Sequence, residues 1–333
     1  MKNFLIKATL FILILFGIDV LLFSIAFHLC GTFPPEERAL LENSLQTEGL
    51  ILGTSHAEQG IIPSLLESET GLDWYNYGRA RRNLVFNLYY SKALWGSGAR
   101  PKAIVFVATY HDWNEKTHPF MIKNFIPKEQ FFPIGLDFIK ERSLLNPRKW
   151  LLSDQYSSTH RMMMSRSLSW LKNRSTALPF TPHPEDGFNG SARMIKPKPQ
   201  PTSFNQYPWT VRPINLQAFT DTLDFWISKK VDIVVVDPPE FLGSRLSHQN
   251  YDTYLNSTKE LCRERGVPYK SFSTPGTTIV DDPEYYRDGD WGHPNSHLNT
   301  KGATRFTKEL ALWLKQVLPQ LKSLEIAAGP STP

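Results

Sequence analysis

Hydrophobic residues fall along this chain in two rhythms. Short all-apolar runs mark strands buried on both faces. Longer segments repeat an apolar side chain every three or four positions and predict helices. The clearest runs are Leu50–Leu52, Ala103–Ala108 and Val231–Val236, and two weaker ones are Leu72–Gly78 and Val267–Phe272. Helices are predicted from Ala57 to Glu67, interrupted near Pro63, and from Asn83 to Trp95, Leu216 to Lys229, Tyr251 to Glu264 and Thr300 to Val317. Thr300 or Asn299 is the expected cap of the last. Strand and helix alternating at this spacing predict an α/β domain: a three-layer α/β/α sandwich on a parallel, flavodoxin-like sheet. Ligands of such sheets bind beyond the carboxyl ends of the strands. Ser55, Gly78 and the segment Thr109-Tyr110-His111-Asp112 fall at those ends. Asp112 and Asp237 do too, and are expected to serve turns or caps.

Between about 114 and 209 the pattern breaks. The stretch is rich in proline, aromatic and basic residues, with predicted helices at Gly135–Arg142 and Ser153–Lys172 and a loop over Pro179–Pro208. A connection this long in a compact domain is usually functional or disordered. It is expected to be an insertion that shapes a substrate groove or packs on a membrane partner, or else a passive surface excursion. Met162 to Met164 are expected to pack rather than to hold a cofactor.

The first thirty residues stand apart. Lys2 and Lys7 precede an apolar run from Ala8 to Leu29, long enough for a bilayer-spanning helix of roughly 20 residues. The lysine bias puts the N-terminus in the cytoplasm and the following domain outside the membrane, in the periplasm. A cleaved signal peptide is the alternative. Asp19 lies within the run, where a carboxyl group is costly and commonly faces a partner or water; it is either a tolerated neutral acid or a docking contact for a membrane protein. Residues 31–48 are then a connector, 49–318 the α/β domain, and 319–333 a flexible tail.

Composition narrows the classes. The net charge of +5 is spread along the chain without a basic stripe, so nucleic acid is not an expected partner. Two cysteines make neither a disulfide framework nor a metal site.

Candidate chemistry begins at Gly53-Thr54-Ser55. A strand, a tight turn at glycine and a helix start together lift a serine hydroxyl to the sheet's rim. Ser55 is read as a nucleophile, or else as an ordinary N-cap. The adjacent His56 is given pocket lining at most. Near the other end stands Asp288-Gly289-Asp290-Trp291-Gly292-His293, followed by His297-Leu298-Asn299-x-x-Gly302-Ala303. A histidine there, beside the strand ends, can take a proton from Ser55 and return it to a leaving group.

Gly53-Thr54-Ser55, Asn76-x-Gly78 and His297-Leu298-Asn299-x-x-Gly302-Ala303, attached to the first strand, the second strand and the last helix, resemble the SGNH (GDSL-like) hydrolase superfamily, in particular its membrane-anchored bacterial members that act on cell-envelope polymers. The resemblance covers about Leu50 to Ala108 and Asn215 to Lys315, not the insertion. It implies Ser55 as nucleophile, the N–H groups of Ser55 and Gly78 as oxyanion donors, and His297 as base, with no metal or organic cofactor. Two departures follow. The family's aspartate three residues before the histidine is Pro294 here, which leaves Asp290 or Asp288 as the acid and Asp290 with His293 as a rival pair. The family's asparagine donor after the third strand has no clean match, with Asn114 or His111 as substitutes. The implied activity is an extracytoplasmic serine esterase or O-acyltransferase on an acyl ester of an envelope polysaccharide or lipid-linked sugar. The alternative is a catalytically inactive member that binds partners in a membrane-bound envelope-modification complex.

Overall fold

A computed structural model of the 333-residue chain describes residues 47–80, 82–115, 186, 188–190, 207–245, 248–274, 278–287 and 297–318, with scattered positions between 4 and 18. The chain divides into two compact units, Met1–Ala39 with Phe132–Thr181 and Leu40–Phe131 with Pro182–Pro333. In the first, the described positions between 4 and 18 are helical, and Phe4, Ile6, Leu10, Phe11, Ile14 and Ile18 are exposed. Among the described residues no helix is long and apolar enough to cross a membrane. Asp19 and the helices expected at 135–142 and 153–172 lie outside the described residues.

The second unit is built on a five-stranded parallel sheet. Its strands are β1 (Gly49–Leu52), β2 (Trp74–Asn76), β3 (Ala103–Val107), β5 (Asp232–Asp237) and β7 (Tyr269–Ser271), in the order β2-β1-β3-β5-β7. Every pairing is parallel, with Ile51 opposite both Asn76 and Val105, and Val105 opposite Val234. A hairpin cannot connect parallel neighbours, so each connection must cross over, and helices do this. The α-helices of this unit among the described residues are α1 (Ser55–Gly60), α2 (Pro63–Thr70), α3 (Leu84–Gly96), α4 (Pro213–Ser228), α5 (Leu242–Arg245), α6 (Tyr251–Arg263), α7 (Thr278–Asp281) and α8 (Thr300–Val317), the last two following the final strand. The expected interruption near Pro63 is a real break. Pro63 occupies the first turn of α2, where its missing N–H costs nothing, and Gly71 at φ 75° ends that helix.

Alternate strand residues face opposite sides, and both sides are covered. Ile51, Val105, Val107, Val234 and Val236 share one core with Ala57, Ile61 and Leu66 and with the α8 residues Phe306, Leu310 and Leu314. Their spacing on α8, at i, i+4 and i+8, is the apolar stripe visible in the sequence. Thr307 Oγ1 accepts from the Ile62 N–H at 3.0 Å, tying α8 to the bend between α1 and α2. On the other side Phe106 stacks on Phe219 of α4 at 5.7 Å, and Trp226 Nε1 donates to Ser91 Oγ of α3 at 3.0 Å.

One feature had no counterpart in the hydrophobic pattern. Two-residue strands β4 (Tyr207–Pro208) and β6 (His248–Gln249) pair in parallel as a separate sheet. Two residues are too few to show a period.

Candidate active site

The order of the main sheet reverses direction between β1 and β3, and the crevice beyond the strand ends at such a point is where α/β sheets bind ligands. There the structure has a cavity of about 710 Å³, lined among others by Ser55, His56, Gln59, His111, Arg287 and His297.

Ser55 reaches it by the turn after β1. Gly53 adopts φ 147°, and a Cβ at that position would stand 2.8 Å from the Val107 carbonyl oxygen. No other residue fits so close to the end of β3. Thr54 is the N-cap position of α1 without a side-chain cap bond, and Ser55 is the first helical residue. The cap role that the sequence left open for Ser55 is therefore not taken up. Its Oγ lies 2.6 Å from His297 Nε2, a contact between residues 242 positions apart. Like the first N–H groups of any helix, that of Ser55 has no acceptor one turn back and points out of the helix start.

His297 is placed by the segment that follows it. Tyr286 and Leu298 form an antiparallel bridge, and the Arg287 N–H donates to the His297 carbonyl at 3.0 Å. Asn299 caps α8 by accepting from the Gly302 N–H at 3.0 Å. Its Nδ2 donates to the carbonyls of Glu284 and Tyr286 at 2.6 and 3.1 Å. A Cβ on Gly302 would come within 2.2 Å of the Tyr285 carbonyl oxygen. Gly302→Ala is accordingly expected to cost about 1–3 kcal/mol, the usual range for overpacking, measured as a lower denaturation midpoint. A variant as stable as the wild type would contradict this packing.

Electrostatics set the protonation state. Burial pushes the His297 ring down to about 4, and Arg287 and His111 push the same way. The ring is thus neutral near pH 7, and in the tautomer with its proton on Nδ1 the Nε2 atom accepts from the Ser55 hydroxyl. His56 stacks on this ring at 4.4 Å and 19°, and is itself held well below its usual range by burial and then by His297. Arg287 Nη1 donates to Gln59 Oε1 across the cavity wall.

Gly78 takes a place other than the one expected. Its N–H donates to Asn76 Oδ1 at 2.9 Å, while Asn76 Nδ2 donates to the carbonyls of Ala57 and Ile61 at 2.7 and 2.8 Å. The N–H expected to face an oxyanion is taken up by an asparagine two residues earlier, which folds back as in an Asx turn. Asn114 is exposed at the cavity rim, with its N–H donating to the His111 carbonyl. Asp112 caps a turn, whereas the Asp237 carboxylate serves neither turn nor cap and is held by side-chain hydroxyls. Asp112 caps the 3₁₀ turn Tyr110–Trp113 with Thr109, and burial raises its carboxyl to about 8. Asp237 accepts from Tyr251, Tyr254 and Ser271, and burial raises it to about 7. Asp288, Asp290 and His293 lie outside the described residues.

Two residues beside the cavity carried no signal of a site in the sequence. Glu240, just beyond β5, and His248, in β6, meet as Oε1 and Nε2 at 2.8 Å, both buried. Nothing in their spacing announces a contact made by tertiary folding alone.

No family model and no curated protein matches the chain. Among solved structures, an acetyl xylan esterase from the rumen bacterium Butyrivibrio proteoclasticus aligns with a TM-score of 0.30 at 9% identity. The alignment covers 82% of this chain and 65% of that one, so this chain spans slightly less than two thirds of its neighbour's length. A likeness of that extent carries no argument about function.

Proposed function

We propose that the protein is a serine esterase or O-acyltransferase of SGNH type, with Ser55 as nucleophile and His297 as base. The observation that carries this reading is the 2.6 Å contact between Ser55 Oγ and His297 Nε2 at the edge of a cavity, at the switch point of a parallel sheet. Ser55 Oγ attacks the carbonyl carbon of an acyl ester as its proton passes to His297 Nε2. The oxyanion forms against the Ser55 N–H at the start of α1. The tetrahedral species then expels the alcohol, which takes the proton from His297, and leaves an acyl-serine. Water resolves it in an esterase, a sugar hydroxyl in a transferase. Arg287 opposes the imidazolium that forms on the way, so the step calls for a compensating carboxylate, and Asp290 remains the candidate. The step needs no cofactor.

Substrate and location belong to the same proposal. An envelope polysaccharide or lipid-linked sugar is the proposed acyl carrier, and the proposed domain lies in the periplasm on an N-terminal membrane helix. The exposed apolar side chains between positions 4 and 18 support the anchor. Asp19 is the proposed contact for a membrane protein partner. The purified chain is expected to hydrolyse a small acetyl ester, and to acetylate an oligosaccharide supplied as acceptor if it is a transferase. Folded protein that does neither would favour a partner-binding role.

The histidine gives this reading a pH signature. With the His297 ring held down to about 4, the base stays neutral in mildly acid solution. The acid limb of kcat/KM should fall near pH 4; a limb near the ordinary value of about 6.5 would contradict the buried environment. Stability follows in sign. Between those values the unfolded ring binds a proton and the folded ring does not, so this contribution is full above about 6.5 and is lost as pH falls toward 4.

A further inference from the structure

We infer that His111, Glu240 and His248 form a binding site for a divalent transition metal of the zinc class. One ligand atom from each lies within 4.8 Å of the other two. The three come from separate elements, the 3₁₀ turn after β3, the segment after β5, and β6, and converge at the carboxyl end of the sheet. Two imidazoles and one carboxylate are a donor set that suits zinc. Zinc–ligand distances of about 2.0–2.2 Å put tetrahedral donors roughly 3.4 Å apart. The Glu240–His248 edge is 2.8 Å and no edge exceeds 4.8 Å, so the donors stand within about 1.4 Å of tetrahedral spacing.

The rings are held as ligands need to be. Tyr110 stacks on His248 at 4.3 Å and 15°, and His111 meets His248 edge-on at 4.6 Å and 83°. Tyr110 is fixed in turn by its hydroxyl, which donates to the Gln249 carbonyl at 2.7 Å. A structural histidine in a protein interior normally satisfies both ring nitrogens. Here His248 is 8% exposed and its Nε2 faces Glu240, while its Nδ1, on the other side of the ring, is buried with no hydrogen-bond partner, so the contact with Glu240 leaves the ring half satisfied. His111 is exposed and lines the same cavity as Ser55 and His297. Three protein ligands with one side open to a cavity is the arrangement of zinc sites that keep a position for water or substrate. Nothing in the sequence marks it, because the spacing 111, 240, 248 matches no metal-ligand pattern.

The test is calorimetric titration of the chelator-stripped full chain with Zn²⁺, paired with the visible spectrum of the Co²⁺ form. One metal per chain and the intense bands of tetrahedral cobalt are expected. His111→Ala, at the exposed corner, and Glu240→Gln, which keeps the side chain's volume, should each weaken binding by more than about 100-fold, beyond the 10–100-fold that loss of an outer-shell partner brings. Circular dichroism would show that both variants fold. No saturable binding by the wild type, or binding that neither variant weakens, would overturn the inference and leave a buried Glu240–His248 hydrogen bond with a histidine beside it.

Discussion

Ser55→Ala is expected to abolish ester cleavage, and His297→Ala to reduce kcat/KM by about 10²–10⁴-fold, the usual worth of a positioned general base. The two effects should not add. The 2.6 Å contact makes the hydroxyl and the ring one device, in which the ring acts only on the proton of that oxygen. Without the oxygen there is nothing for it to accept, so the double variant should be no slower than Ser55→Ala alone. Neither change should unfold the protein, since both side chains are partly accessible at the cavity. Circular dichroism beside the kinetics checks this. A double variant whose loss is the product of the two single losses would mean that His297 acts elsewhere.

Asn76→Leu is expected to be the most damaging single change to the fold near the site. The asparagine is fully buried and its side chain makes three hydrogen bonds, two as donor to the α1 region and one as acceptor from Gly78. Leucine is of similar size and makes none. The Ile61 carbonyl and the Gly78 N–H lose the side chain that satisfies them, at about 1–3 kcal/mol for each buried group left unpaired. A loss of about 2–6 kcal/mol is expected by chemical denaturation. The end of β2 would also no longer be pinned to the helix that begins at Ser55, so esterase activity should fall in the protein that remains folded. A loss below about 1 kcal/mol, that of an ordinary surface change, would contradict the role given to this side chain.

The elements that the sequence made legible are those whose physics is local or strongly periodic. β3 and β5 were visible as unbroken apolar runs because both their faces are covered. α8 was visible from its stripe and from Asn299, which does cap it. The turn at Gly53 and the pair Asn76 and Gly78 were visible as chemistry, although what Gly78 does with its N–H was not. That N–H goes to a side chain two residues back, and an asparagine offers an oxygen equally well to a neighbour or to solvent. Contacts made only by folding left no trace. Glu240 and His248 come together because β6 pairs with β4 and Tyr110 stacks between elements, none of which has a period or a spacing rule. The insertion expected between about 114 and 209 falls largely outside the described residues.

Activation of the Ser55 hydroxyl by His297 is the step on which the proposed chemistry depends. A fluorophosphonate reacts with such a serine and with few others, and peptide mapping by mass spectrometry locates the adduct. The account predicts a single adduct on Ser55 in the wild type, a strongly slowed reaction in His297→Ala, and none in Ser55→Ala. An adduct on another residue, or equal labelling of Ser55 with and without the histidine, would contradict it.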